Sequence, residues 1–143
     1  MEKIKIEHDN EFEGGHGVES FWATPLGNGF YRVENVLFYA KGYSFGDIVR
    51  VEERPDDGLY VVALVEESGH STVRIIFMNT EEVQAVRRHL ETLGCESEMS
   101  DRPYLISVDI PKAVDYKIVR AYLEEGKSKE EWFFEEAVLA HPL

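Results

Sequence analysis

Between Glu19 and Glu67 short apolar-rich segments alternate with turn residues. ESFWATPL (19–26), GFYRVENVLFYA (29–40), GDIVRVEE (46–53) and LYVVALVEE (59–67) read as β-strands. The breaks at LGNG (26–29), KGYSFGD (41–47) and RPDDG (54–58) supply the Gly, Pro, Asn and Asp that tight turns require. In the last strand Leu59, Val61, Ala63 and Val65 share one face and Tyr60, Val62 and Leu64 the other. Apolarity on both faces predicts a strand buried on both sides, at the centre of the molecule and bridging its two halves. Before Glu19, residues 8–18 (HDNEFEGGHGV) read as a loose arm.

After Glu67 the rhythm changes. STVRIIF (71–77) is a strand. NTEEVQAVRRHLETLGC (79–95) is a helix with Val83, Val86, Leu90 and Leu93 on one face and Gly94 at its C-terminal end. Asn79 or Thr80 supplies the N-cap, and Glu82 is spaced to close a capping box on Asn79. ESEM (96–99) and YLISVDI (104–110) are strands joined by SDRP, with Leu105, Ser107 and Asp109 on one face of the second. A second helix starts at the Asp115 N-cap, repeats Ile118, Val119, Tyr122 and Leu123 on one face, and ends at Gly126. An aromatic strand, EEWFFEEAVLAH, closes the pattern.

The predicted fold is therefore α+β. An N-terminal small antiparallel β-sheet or partial barrel precedes a ferredoxin-like βαββαβ half. Three segments result: residues 1–18 as an N-terminal strand and loose acidic arm, 19–69 as a small β subdomain, and 70–143 as the ferredoxin-like subdomain.

Composition narrows the functional classes. The chain of 143 residues carries 28 acidic and 15 basic side chains, a net charge of −13. Such a surface repels phosphate backbones and anionic lipid, so neither nucleic-acid nor membrane binding is expected. The same field would accelerate docking onto a basic protein. Carboxylates also simply keep a small domain soluble. The single cysteine, Cys95, forms no intramolecular disulfide and has no zinc-ligand spacing, which points to a reducing cytoplasm. MEKIKIEHDN has no apolar core of a secretory signal, and no long apolar run suggests a membrane span.

ESGHST (67–72) is the stretch most suggestive of chemistry. His70 and Thr72 spell the H-x-T element of two-histidine phosphodiesterases, whose mechanism needs two such elements facing each other. His89 is followed by Leu90 and Glu91, and His141 by Pro142 and Leu143, so neither completes the pair. Ser68 or Ser71 as a nucleophile activated by His70 is also strained. Ser71 and His70 are adjacent, and adjacent strand residues point to opposite faces; Ser68 and His70, two apart, could share a face, but no G-x-S-x-G elbow surrounds the serines. The competing reading is a turn at Ser68 and Gly69 in which His70 or Ser71 bonds the backbone. Asp109 stands at the sheet edge, or faces the N-terminal half, or is a strand-end residue bonded to the PKAV turn that follows it.

His8, Asp9, Glu11, Glu13 and His16 supply oxygen and nitrogen donors, but their spacing matches no calcium loop or zinc pattern. No metal or cofactor is expected. Cys95, flanked by Glu91, Glu96 and Glu98, reads as a small buried hydrophobe with a raised thiol pKa. Trp22, Tyr39, Tyr43 and Phe45, rimmed by carboxylates, are candidates for a protein interface, although core packing is the ordinary role of each. The two inner strands of the ferredoxin-like half lack the exposed aromatic pair with flanking Arg and Lys that RNA stacking needs.

The combination ESFWATPLGNGFYRVENVLFYAKGYSFGDIVRVEE, ESGHSTVRI, LGCESE and WFFEEAVLAHP resembles the bacterial family called domain of unknown function 4265. The resemblance runs from about Glu19 onward, and GDIV and SGHST are its most specific pieces. It implies a small cytosolic bacterial protein and brings no activity, cofactor or catalytic residue.

No catalytic constellation is complete, and the expectation is a non-catalytic acidic protein-interaction domain, of the inhibitor or immunity type, that masks a basic partner. The alternative is a small-molecule-binding regulatory module with a pocket between the halves near Ser68, His70 and Ser71, with Asp109 as a further polar group. The sequence sets no oligomeric state.

Overall fold

The computed structural model of the chain describes residues 1–9 and 15–143. Among these residues the fold is mixed α+β, with nine strands and two helices distributed over two sheets. It divides into two compact units, Met1–Ser68 and Gly69–Leu143.

The first unit is a closed barrel of β1 (Glu2–Asp9), β2 (His16–Gly27), β3 (Phe30–Val33), β4 (Ile48–Arg54) and β5 (Gly58–Glu66), each paired with the next in sequence. Neighbours run antiparallel, and β1 closes the ring by a parallel pairing with β5 at Lys5 and Tyr60. Period-two alternation turns Ile4, Ile6, Phe21, Ala23, Val33, Val49 and Val51 inward to form the core. Outside the β1–β5 seam, Lys5 Nζ donates to the Asp57 carbonyl at 2.6 Å, and the Tyr60 hydroxyl donates to Asp57 Oδ2 at 2.8 Å. The Arg54 guanidinium lies 3.8 Å from the Tyr60 ring centre and pairs with Glu7.

The barrel departs from the sequence expectation in several places. It is closed, because the strand before Glu19 supplies the fifth stave. His8, Asp9 and His16 to Val18 are not a loose arm: they sit in the β1–β2 ladder, where Asp9 faces His16. The rest of that arm, residues 10–14, lies outside the described residues. β5 is not buried on both sides. Val62 and Leu64 are exposed on its outer face, because a barrel has only one interior. The segment GFYRVENVLFYA stops being a strand at Val33. From Glu34 to Asp47 the backbone is irregular, yet it buries Val36, Leu37 and Ala40. A carboxylate substitutes for the missing ladder there: Glu19 accepts the N–H groups of Phe38, Tyr39 and Ala40 at 2.6, 3.0 and 3.0 Å. The loop can enter the core because its amides find partners without a neighbouring strand.

The second unit orders β6 (Ser71–Phe77), β7 (Glu96–Met99), β8 (Leu105–Ile110) and β9 (Trp132–Val138) as β7-β8-β6-β9, all antiparallel. Helix α1 (Val83–Thr92) links β6 to β7, and α2 (Tyr116–Ser128) links β8 to β9. Val73, Ile75, Phe77, Ile106, Val108 and Ile110 form a core with Val86 and Leu90 of α1 and Val119 and Leu123 of α2. Asp115 caps α2 through the Lys117 N–H, as its position predicts. Asn79 instead caps a single 3-10 turn, Thr80–Glu82, by accepting the Glu81 N–H at 2.9 Å; α1 begins only at Val83.

Gly126 does not end α2, which continues to Ser128. Its role is packing: a Cβ there would fall 1.9 Å from Trp132 Cζ2, so the indole lies directly on the helix backbone. The Trp132 indole N–H donates to the Leu123 carbonyl at 3.0 Å, which fixes β9 against α2.

Candidate functional site

The ESGHST stretch spans the boundary between the two units. Ser68 belongs to the first. Its N–H donates to Asp47 Oδ1 at 2.8 Å, and its hydroxyl donates to the Phe45 carbonyl at 2.7 Å. Asp47, buried, also accepts the Ser44 N–H at 2.8 Å through its other oxygen. Gly46, at φ +84°, leaves only 3.2 Å between the place of a Cβ and Ser68 Cβ. The GDIV and SGHST sequences thus hold each other: Gly46 makes room for Ser68, and Asp47 binds its backbone.

His70, Ser71 and Asp109 belong to the second unit. His70 Nδ1 stands 2.7 Å from Asp109 Oδ1, with the His70 side chain 22% exposed and the Asp109 side chain 11%. The pairing follows from register, since Thr72 lies opposite Asp109 and places the residue two before it beside the end of β8. Asp109 is therefore on an inner strand, bonded to His70. Burial pushes its carboxyl above the usual value, with Glu96 and Glu98 adding to the rise, while the bond to His70 and its charge pull the other way. Beside Asp109 on the sheet face away from the helices stand Thr72, Arg74 and Ser107, all buried, and Arg74 reaches Glu135 at 3.2 Å.

Ser71 points to the helix face and is fully buried. Its Oγ lies 2.5 Å from His141 Nδ1 and accepts the N–H groups of Ala140 and His141 at 2.9 and 3.2 Å. His141 Nε2 lies 2.8 Å from the Pro111 carbonyl, which can only accept, so the neutral ring carries its proton on Nε2 and Nδ1 accepts the Ser71 hydroxyl proton. The oxygen has one proton and two lone pairs, and all three are used. Sequence reading set His141 aside for want of a local motif. The 70 positions separating it from Ser71 leave no sequence signal for the contact.

The other candidates are dispersed. Trp22 is 43% exposed, with Lys3 Nζ 4.8 Å from its ring centre. Tyr39 stacks on His8 at 5.7 Å. Tyr43 packs against the barrel core, and Phe45 is half-buried. Cys95 is fully buried, its thiol pushed up to about 12 by burial first and Asp109 second. Of the donor group His8, Asp9, Glu11, Glu13 and His16, His8 Nδ1 is 3.1 Å from the Asp9 carbonyl and His16 Nε2 is 2.8 Å from Glu7. Glu11 and Glu13 lie outside the described residues. Glu19, unassigned from sequence, had a visible signal: its period-two spacing with Phe21 and Ala23 aims it into the barrel.

Among the described residues, no helix is long and apolar enough to cross a membrane. A search of curated proteins finds no match. A crystal structure described as that of a hypothetical protein from Neisseria gonorrhoeae superposes with a TM-score of 0.81, covering 98% of this chain and 96% of that one at 18% identity, which establishes likeness of fold. The family model described as domain of unknown function (DUF4265) matches residues 19–134. The chain belongs to that family.

Proposed function

We propose that the protein is a non-catalytic acidic interaction domain that covers a basic surface of a partner protein, in the manner of an inhibitor or immunity protein. The carrying observation is the state of Ser71. The serine nearest to a histidine at reactive distance is buried, and every valence of its oxygen is spent on segment 140–141. Ser68 gives its hydroxyl proton to the Phe45 carbonyl and its backbone N–H to Asp47. A nucleophile needs an approachable oxygen, and Ser71 offers none. The −13 net charge supplies long-range attraction to a basic partner. The buried, unreactive Cys95 accords with a reducing cytoplasm.

For the second unit we adopt the ferredoxin-like reading. Its βαββαβ succession and its strand order β7-β8-β6-β9 support it.

One observation favours the alternative of a small-molecule-binding regulatory module. His70 is part-exposed and oriented by a buried carboxylate, an arrangement that suits holding a polar ligand.

The test is capture of partners at low and at high salt with the natural chain and with a variant carrying Lys at the exposed Glu52, Glu53, Glu66 and Glu67. A basic protein that associates more slowly with the variant and dissociates at high salt supports the interaction domain. Association indifferent to both overturns it.

A further inference from the structure

We propose that His141 is a proton-sensitive latch: its neutral ring fastens segment 139–143 to the second unit, and protonation of the ring releases it, whatever partner the protein binds. Strand β9 ends at Val138, and of residues 139–143 only His141 is buried; Leu139, Ala140, Pro142 and Leu143 are exposed. One side chain and the bonds around it therefore hold the segment. Ser71 Oγ stands 2.5 Å from Nδ1, the Ala140 and His141 N–H groups donate to the same oxygen, and Nε2 donates to the Pro111 carbonyl at 2.8 Å.

These bonds admit one protonation state. Two backbone N–H groups fill the lone pairs of the Ser71 oxygen, so its proton goes to Nδ1, while Pro111 needs the ring proton on Nε2. A proton added at Nδ1 would face an oxygen with no lone pair left and would strand the hydroxyl proton. The residue is 8% exposed, too little for water to take over either bond, so the imidazolium is accommodated by leaving its place. Neighbouring charges do not reverse this. From α2 the Tyr116 ring lies 5.9 Å from the His141 ring, and its hydroxyl donates to Glu136 of β9 at 2.5 Å. Arg120 stands 3.4 Å from the same Glu136 oxygen, so that carboxylate already has a cation. Lys112, beside Pro111, lays its stem on Gly69 and adds positive charge at this end of the sheet. His70 and Asp109 bond each other on the opposite face.

The test is amide exchange of the full chain at about pH 7.5 and about pH 5.5, corrected for the intrinsic pH dependence of exchange, with the tautomer of His141 read by ring-nitrogen NMR. At the higher pH the ring should be neutral with its proton on Nε2. A histidine freed to water takes up a proton near about pH 6.5, so a proton bound only by the released ring should raise opening of the segment about tenfold across this range. Exchange at Ala140 and His141 should rise by that factor, while Val73 and Ile75 within β6 keep theirs. His141→Asn offers an oxygen to the Ser71 proton and never becomes charged, so exchange at both amides should be equal at the two pH values, however firmly this variant holds the segment. A ring protonated at Nδ1 while Ala140 and His141 stay protected overturns the latch. So does exchange that is unchanged by pH in the natural chain, or that rises equally at Val73 and Ile75.

Discussion

Ser71 Oγ and His141 Nδ1 lie 2.5 Å apart across 70 positions of sequence, and the contact holds segment 140–141 against the start of β6. The distance is one a nucleophile and its base would share. What separates this pair from such a dyad is the second end of each group. The oxygen receives two backbone N–H groups, and the far ring nitrogen is bound to Pro111.

Replacing Ser71 with Ala leaves the Ala140 and His141 amides and Nδ1 without their partner, and unfolding stability should drop by about 1–3 kcal/mol. His141→Ala should cost stability too, and the double variant less than the sum, because both deletions break one bond. Denaturant unfolding of the four chains measures the coupling. A serine-directed phosphonylating reagent should leave native Ser71 unmodified; labelling of the folded protein there would show an accessible nucleophile.

Glu19 carries the irregular 34–47 segment on its carboxylate. Glu19→Gln keeps the shape but turns one oxygen into a donor, so at least one of the amides of Phe38, Tyr39 and Ala40 loses its acceptor. A loss of about 1–3 kcal/mol is expected, with faster hydrogen exchange confined first to those three amides. Unchanged exchange there would mean that the loop is held by other contacts.

Asp109 titrates above the ordinary 3.8 because burial outweighs the His70 bond. The native state then binds more protons than the unfolded chain between 3.8 and the raised value, so this group's contribution to stability grows as pH falls through that window. His70→Ala should raise the Asp109 value further, because only the lowering influence is removed. Carboxyl-carbon NMR of both chains provides the check. A value at or below 3.8 in the natural chain would mean that the His70 bond outweighs burial.

Cys95 gives the opposite end of the scale. The folded state holds the thiol proton to about 12, whereas the unfolded chain releases it near 9.0. Stability from this group is therefore complete below 9.0 and declines as pH rises toward 12, by up to about 1.4 kcal/mol per pH unit. The Tyr116 hydroxyl, raised from 10.0 by burial and by its bond to Glu136, adds to the decline at the alkaline end. Cys95→Ala should flatten the slope from 9.0 upward while lowering stability at neutral pH through the lost volume. Native Cys95 should react with a thiol reagent only as the second unit opens.

The second unit was the more legible in sequence because its elements are long and locally signalled. Val83, Val86 and Leu90 recur at helical spacing, and the Asp115 cap announces α2. Gly126 misled because a glycine under an indole and a glycine ending a helix look alike in one dimension. In the barrel the apolar run Val36, Leu37 and Ala40 suggested more strand. Apolarity reports burial, and only the distant Glu19 reveals that the amides are bonded without a ladder. The candidate site divided along the same line. Its individual residues were visible in ESGHST, but the partners that decide their roles, Asp47 for Ser68 and His141 for Ser71, are tertiary.

The most direct test of an acidic, non-catalytic interaction domain is the association rate between the chain and the basic protein it retains, measured against ionic strength with the natural chain and the Glu52, Glu53, Glu66 and Glu67 to Lys variant. A rate that falls steeply with salt, and falls again in the variant while its unfolding curve stays in place, is the predicted result. A rate flat in salt and equal in both chains would contradict it.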